Sequence, residues 1–214
     1  MSFRYYLYVS DAKVDMLLSQ IDPAWSRKRV TELSVGLSVA GAKHTSETTG
    51  TDRIARLERV VRNLEEHGDL GDVDEPGQYV HGELPMQWGS IGDGDTVYFG
   101  GRTERTVVGL GGSTGHALST VPAAPPPQHR LSGSLMPSLL DQLAALAPGE
   151  AVDDADADAL AIVVQANASL RGPAQTVEFV AKRLLYGPSP YPELNTRPDM
   201  AVLLGSPLYV ALAE

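Results

Sequence analysis

Hydrophobic and polar positions along the chain form two kinds of pattern. Apolar residues spaced three and four apart predict amphipathic helices, whereas alternating or short continuous apolar runs predict strands. The helical pattern covers residues 11–21, 52–67, 136–146 and 174–186. The strand pattern covers residues 3–9, 33–39, 78–84, 95–100, 105–110, 159–167, 202–204 and 208–212.

Two of these assignments depend on a choice between helix and strand. Residues 159–167 are mostly apolar, and we assign them to a strand because the run 162–164 is β-branched. Residues 174–186 follow a Gly-Pro pair and place apolar residues such as Val177 and Leu184 at helical spacing. We therefore assign the second segment to a helix.

The order of the elements predicts an α+β protein. Helices and strands mix without strict alternation, and consecutive strands in the middle of the chain favour antiparallel pairing. We expect a mixed, largely antiparallel sheet covered by about four helices. The length of 214 residues is within reach of one large domain, so we expect residues 1–214 to form a single α+β domain.

Composition narrows the class of protein. The chain is 43% hydrophobic and 21% charged, which is typical of a globular domain, and it has no cysteine for a disulfide or a thiolate site. It shows no signal-peptide pattern and no apolar run of membrane-spanning length, so we expect a cytoplasmic location. The net charge of −10 argues against nucleic-acid binding and against binding to an acidic membrane surface.

The glycine-rich segment 109–116 carries the formal pattern of a nucleophile elbow, with Ser113 between Gly111 and Gly115. An elbow serine must be followed by a helix, then an acid and then a histidine. The last histidine is His129, and no Asp or Glu lies between it and Ser113, so the hydrolase order is not met. We interpret the segment as a strand that ends in a tight turn, and an anion-binding nest of glycine amides is the alternative.

The sequence assigns no catalytic residue, no metal site and no cofactor. None of the five histidines has the spacing of a zinc site. The acidic repeat Asp154-Ala-Asp156-Ala-Asp158 lacks the glycine and the glutamate that an EF-hand loop requires, and we interpret it as a hydrated linker.

Aromatic and apolar residues near the predicted central strands suggest a binding wall. Trp88 and Met86 lie beside a predicted turn, and Tyr98 lies on the next strand. These three residues could line an apolar pocket, and burial in the hydrophobic core is the equal alternative. The candidate ligand-binding residues are Met86, Trp88, Tyr98, Arg102, Gly112, Ser113 and His116.

Several segments together resemble an uncharacterised actinobacterial protein family. They are residues 4–16, 84–89, 97–101, 109–113, 177–185 and 204–212. Some members of that family accompany natural-product gene clusters, including enediyne clusters. The resemblance implies a shared fold and a bacterial setting, and it assigns no catalytic residues.

Three functional hypotheses follow. The first is a non-enzymatic accessory protein that binds a small hydrophobic or aromatic molecule, with a role in natural-product biosynthesis or self-protection. The second is a hydrolase-like enzyme with a site assembled around Ser113 and His116. The third is a protein-interaction module, because the uneven charge of the chain favours docking or assembly into a homo-oligomer.

Overall fold

The computed structural model describes seven stretches of the chain. They are residues 4–22, 48–67, 70–92, 94–118, 135–146, 154–192 and 197–213. The predicted strand 33–39 lies outside them. Contacts group the chain into two compact units, one formed by residues 1–9 and 69–214 and the other by residues 10–68. The expectation of a single domain stays a prediction.

The described residues of the smaller unit form the helices α1 (Asp11–Ile21) and α2 (Thr48–Glu66). Both were predicted from apolar spacing, and α2 begins a few residues earlier than expected because its first turn precedes the first apolar position. The buried apolar residues on these helices are Val14, Leu17, Leu18, Leu57, Val60 and Leu64. No helix in the part of the chain that the structure describes is long and apolar enough to cross a membrane.

Arginines on α2 form ion pairs with acids on α1 or at its C-terminal cap. Two of the pairs include a partly exposed side chain and contribute little to stability, whereas the Arg56–Asp15 pair is mostly buried, and together the pairs fix how the two helices are aligned. The pairs are Arg53–Asp11 at 2.8 Å, Arg56–Asp15 at 2.6 Å and Arg59–Asp22 at 3.0 Å.

The larger unit is a β-barrel with helices packed on its outside. Its helices are α3 (Leu135–Leu146) and α4 (Ala155–Ser169). Its strands are β1 (Tyr5–Val9), β2 (Leu70–Gly71), β3 (Tyr79–Ile91), β4 (Thr96–Arg102), β5 (Thr106–Ser113), β6 (Gln175–Pro188) and β7 (Ala201–Leu212).

Five of the strands close into a ring. β3 pairs with β4, β4 with β5, β5 with β7, β7 with β6, and β6 again with β3. β1 adds to the C-terminal part of β7, and the short β2 adds to β3. The β5–β7 and β2–β3 pairs are parallel and the other described pairs are antiparallel, which confirms a mixed, largely antiparallel sheet. Its closure into a barrel was not predicted.

The barrel has apolar side chains on both faces of its wall. The inner cluster includes Val80, Leu84, Phe99, Val108, Leu110, Phe179, Leu203 and Val210. The outer cluster joins barrel residues to α3 and α4 and includes Tyr98, Leu139, Leu143, Leu160, Val163, Val202 and Leu204. A cover of four helices is not confirmed, because α1 and α2 belong to the smaller unit.

The assignment of residues 159–167 to a strand is wrong, since they lie within α4. The Asp154 carboxylate accepts hydrogen bonds from the amides of Asp156 and Ala157 and so caps this helix. The acidic repeat is therefore the first turn of a helix and not a linker. Alanines and a buried apolar face outweigh the strand preference of the β-branched run.

The assignment of residues 174–186 to a helix is also wrong, since they form most of β6. β6 pairs with β3 along one edge and with β7 along the other. Its consecutive middle residues are buried, so both of its faces are covered there. Val177 and Phe179 belong to the inner cluster, while Val180 is equally buried on the opposite face. A strand buried on both faces loses polar alternation, and its apolar positions then mimic helical spacing.

The two final strand segments form one continuous strand through Pro207. The register with β6 shifts here, because Val180 pairs with Tyr209 whereas Ala181 pairs with Pro207. Leu208 is the extra residue of a β-bulge. A proline without an amide hydrogen is tolerated at such an irregularity.

Candidate functional site

Six strand ends meet at one end of the barrel, which we call the barrel mouth. Since β5 and β7 are parallel and β4 is antiparallel to both β3 and β5, the C-terminal ends of β3, β5 and β7 lie together. β1, β4 and β6 run in the opposite direction and bring their N-terminal ends to the same place. Ligand sites are frequent at the mouths of β-barrels.

An aromatic row of four residues, Trp88, Phe99, Tyr8 and His116, runs across the barrel mouth. Ring centroids are 6.1 Å apart for Trp88 and Phe99, 6.3 Å for Phe99 and Tyr8, and 5.9 Å for Tyr8 and His116. The last two contacts are edge-to-face, the arrangement that aromatic quadrupoles favour. Phe99 and Tyr8 are buried, while Trp88 and His116 are partly exposed. The two ends of the row are therefore accessible from solvent.

Apolar side chains at the same end form what we call the apolar rim, defined by Tyr5, Leu118 and Leu212. Tyr5 is 64% exposed and Leu118 is 39% exposed, which is unusual for large apolar side chains in this protein. Tyr5 pairs with Leu212 across β1 and β7, so both side chains point to the same side of the sheet. The backbone amide of Leu118 donates to the carbonyl of Leu7 and holds the rim against β1.

A β-bulge in β1 explains how this short strand contributes Tyr8 to the aromatic row. The register with β7 shifts between Tyr6 and Tyr8, so consecutive residues Leu7 and Tyr8 both join the inner cluster. Gly112 on β5 leaves space for the Tyr8 ring, because a methyl group there would overlap the phenol. Sequence reasoning missed Tyr8 and Phe99 as site residues, since an aromatic run gives no sign of a bulge.

The glycine-rich segment is the end of β5 followed by a short turn at Thr114–His116, as predicted, but Gly109, Gly111 and Gly112 lie within the strand and not in the turn. Residues 109–112 lie in β5 and pair with β4, so their amides belong to the sheet ladder and do not form a nest. Gly109 and Gly111 face the outer layer, where an added methyl group would overlap Tyr98 and Leu139, respectively. Close packing of side chains against the wall is what requires glycine here.

Ser113 and His116 lie at the barrel mouth in different environments. Ser113 ends β5, and its hydroxyl oxygen accepts a hydrogen bond from the Gly115 amide at 3.3 Å. The turn that follows, Thr114–His116, has three residues, so the long helix of a nucleophile elbow does not come after Ser113. The His116 ring packs against Tyr8 and closes the aromatic row.

The candidate residues divide between three places. Met86 and Trp88 lie on the inner face of β3, and Gly112 lies on the inner face of β5. Tyr98 lies on the outer face of β4, because side chains alternate along a strand and Phe99 points inward. Arg102 ends β4 at the opposite end of the barrel. The barrel mouth therefore brings together four of the seven candidates, namely Trp88, Gly112, Ser113 and His116, whereas Met86 pairs with Gly101 and is fully buried in the barrel below them.

Tyr98 belongs to a buried hydrogen-bond network that joins α4 to the barrel wall. Its hydroxyl donates to the Asn167 side-chain oxygen at 2.7 Å. The Asn167 amide nitrogen donates to the carbonyls of Gly101 at 3.1 Å and Val108 at 3.0 Å. Burial raises the pKa of the Tyr98 phenol well above its usual range. The network is satisfied within the protein, which indicates a structural role.

A second polar cluster lies on the outer face near the N-terminal end of β6. The Glu178 carboxylate forms an ion pair with Arg4 at 3.0 Å and accepts a hydrogen bond from the Tyr209 hydroxyl. Burial and the Glu178 carboxylate raise the pKa of Tyr209 above its usual range. Tyr6 packs edge-on against Tyr209 with 5.8 Å between ring centroids. These contacts attach the N-terminal part of β1 to β6 and β7.

An open depression adjoins this cluster at the barrel mouth. Its volume is about 530 Å³, and its lining residues are Glu83, Gln175, Thr176, Leu212 and Ala213. Within the described ranges, no group of three or more His, Asp or Glu side chains converges in a way that would hold a metal ion.

Comparisons with known proteins place the chain in a family but assign it no activity. No curated protein and no solved structure is similar enough to the chain to count as a match. A family model described as a family of unknown function, DUF7019, matches residues 4–214. The match confirms an uncharacterised family, and the chain belongs to the family of unknown function DUF7019.

Proposed function

We propose that the protein is a non-enzymatic binding protein whose barrel mouth holds a small aromatic or hydrophobic molecule. The observation that carries the proposal is the aromatic row, buried at its centre and accessible at Trp88 and His116. The exposed side chains of the apolar rim, Tyr5 and Leu118, lie at the same end. A natural product with an aromatic ring system belongs to this ligand class.

The arrangement of the row supports a ring-shaped ligand. Trp88 lies at a tilt of 34° to Phe99 and is half-buried, so part of its ring remains available for stacking or edge contact. The barrel below the row is filled by side chains such as Met86 and Leu110. A ligand would therefore lie across the mouth and displace water from the apolar rim, which is the main source of affinity.

The direct test is equilibrium binding of a neutral aromatic probe, naphthalenemethanol, to the purified full chain. Fluorescence is read in a Trp25→Phe background, so that Trp88 is the remaining tryptophan of the two. We expect a saturable change in Trp88 emission. Trp88→Leu should lower probe affinity by about tenfold, as measured by calorimetry, because the stacking surface is lost while an apolar side chain remains.

Tyr186→Ala is the matched control. Tyr186 is an aromatic residue, 37% exposed, near the C-terminal end of β6 and so at the opposite end of the barrel. We expect its removal to leave probe affinity unchanged. Equal loss of affinity in both variants, or no saturable binding to the unsubstituted protein, would contradict the proposal.

The other two hypotheses remain predictions. A hydrolase-like site requires a base that activates Ser113, and the Ser113 hydroxyl oxygen accepts a hydrogen bond from the Gly115 amide. An interaction module requires a partner surface. The aromatic row and the apolar rim favour the binding of a small molecule over either alternative.

A further inference from the structure

We infer that the indole N–H of Trp88 makes the barrel mouth selective for aromatic ligands that carry a neutral carbonyl group, such as an aryl ketone or a quinone. The inference rests on the proposed function and names the chemical class of the same ligand. Trp88 lies at one end of the aromatic row and is half-buried. A ring that contacts this end of the row lies close to the indole edge, which carries one hydrogen-bond donor and no acceptor.

The donor of Trp88 is not used within the protein. Its indole N–H makes no hydrogen bond with any residue that the structure describes, and the nitrogen is not enclosed. Three tyrosines of the larger unit differ, because their hydroxyls donate to other residues: Tyr98 to Asn167, Tyr209 to Glu178 and Tyr186 to the carbonyl of Asp74. A buried indole usually has such a partner. At the barrel mouth an oxygen of the ligand can supply it.

The strand that carries Trp88 has an open edge at this point. Met86 pairs with Gln175, the first residue of β6, so residues 87–91 extend beyond β6 and pair with β4 alone among the described strands. An added methyl group at Gly89 meets no atom within 4 Å, so the backbone next to Trp88 is accessible as well. A ligand can therefore approach the indole without displacing a neighbouring strand.

Charge favours a neutral acceptor over a carboxylate. The chain has a net charge of −10, which opposes the approach of an anion. A carbonyl oxygen accepts a hydrogen bond without adding a charge, and the ring that carries it keeps its contact with the aromatic row. The expected ligand class is therefore a neutral aromatic carbonyl compound.

Two probes with one ring system test the inference: 2-acetylnaphthalene, which has a carbonyl group, and 2-ethylnaphthalene, which has a methylene group in its place. Equilibrium dialysis measures the affinity of both probes for the full chain and for Trp88→Phe, which keeps an aromatic ring and removes the donor. We expect Trp88→Phe to weaken binding of the ketone about fivefold more than binding of the hydrocarbon, because one hydrogen bond to the ligand is lost.

The indole proton signal of Trp88 gives a second readout in the unsubstituted protein, so it does not depend on the folding of a variant. A hydrogen bond deshields the proton that it contains. We therefore expect the ketone to move this signal downfield and the hydrocarbon to move it much less.

His116→Ala is the matched control at the other end of the aromatic row. It removes a ring that contacts Tyr8, so it should weaken binding of the two probes to the same extent. A selective loss of ketone binding in His116→Ala, with none in Trp88→Phe, would assign the donor to His116 and overturn the inference.

The outcomes separate the inference from the proposed function. Equal weakening of the two probes by Trp88→Phe, or an equal displacement of the indole signal by both probes, overturns the carbonyl selectivity while binding of naphthalenemethanol upholds the binding site. Failure of all three naphthyl probes to bind overturns both.

Discussion

Tyr98 and Phe99 are neighbours on β4, yet the two faces of the barrel wall use them differently. Tyr98 faces the outer layer and donates its hydroxyl hydrogen to Asn167. Phe99 faces inward and joins a row whose ends, Trp88 and His116, are partly exposed. The Tyr98–Asn167 network of the outer layer is satisfied within the protein, whereas the barrel mouth presents aromatic surface to solvent. The first pattern indicates a structural layer and the second a binding surface.

Replacement of Asn167 by leucine is expected to have the largest effect on this comparison. The variant leaves the Tyr98 hydroxyl and the carbonyls of Gly101 and Val108 without their partner. We expect a loss of about 3 kcal/mol in the free energy of unfolding by urea, because each buried polar group without a hydrogen bond is costly. Gln165→Leu on the same helix should cost much less. A loss below about 1 kcal/mol for Asn167→Leu would mean that the network does not hold α4.

A methyl group at Gly111 tests the packing of the outer layer. The added carbon would overlap Leu139, so Gly111→Ala should cost about 2 kcal/mol of stability through displacement of α3. Gly89→Ala is the matched control on β3, where an added carbon meets no atom within 4 Å. Unfolding by urea measures both. Equal stabilities of the two variants would contradict the close approach of α3 to β5.

Stability at alkaline pH distinguishes Tyr98 from an exposed tyrosine. The pKa of the Tyr98 phenol is raised in the folded state. Below about pH 10 the folded and the unfolded protein both keep the phenol proton, and above that pH the unfolded protein loses it first. Stability from this group is therefore present at neutral pH and falls by about 1.4 kcal/mol per pH unit above pH 10. Tyr98→Phe should reduce that slope in urea unfolding, although Tyr209 retains a similar contribution. An unchanged slope would show that Tyr98 titrates normally.

Removal of the His116 ring, which lies at one end of the aromatic row, should have the smallest effect on stability. His116 is partly exposed and contacts the edge of Tyr8, so His116→Ala should cost less than about 1 kcal/mol. It should weaken binding of naphthalenemethanol by about threefold, since one aromatic contact with the ligand is lost. A large loss of stability without a change in affinity would place His116 with the structural layer instead.

The sequence predicted the helices that have one apolar face and the short strands that are bounded by glycine. α1 and α2 follow apolar spacing, and β4 and β5 follow short apolar runs bounded by glycine. It failed at α4 and β6, which lie deep in the packing and are apolar on more than one side. Periodicity cannot separate helix from strand in such segments, and the capping carboxylate of Asp154 was the available signal for a helix.

The site was predicted in part for a similar reason. Trp88 and Met86 share a face because residues two apart on a strand point to the same side, and Gly112 and His116 reach the same end as Trp88 through β5. Tyr98 was predicted to bind the ligand but faces the outer layer, because strand register decides which of two adjacent aromatic residues points inward. Tyr8 enters the site through a bulge and a long-range strand pairing that no local pattern encodes.

Amide and indole chemical-shift mapping during titration with naphthalenemethanol tests the central claim most directly. The two tryptophans give two indole signals, and the one absent from Trp88→Leu belongs to Trp88. The account predicts saturable shifts of that indole signal and of amides in residues 5–8 and 112–118, with little change in α4. Shifts concentrated in α3 and α4, or no saturable shift at Trp88, would contradict a binding site at the barrel mouth.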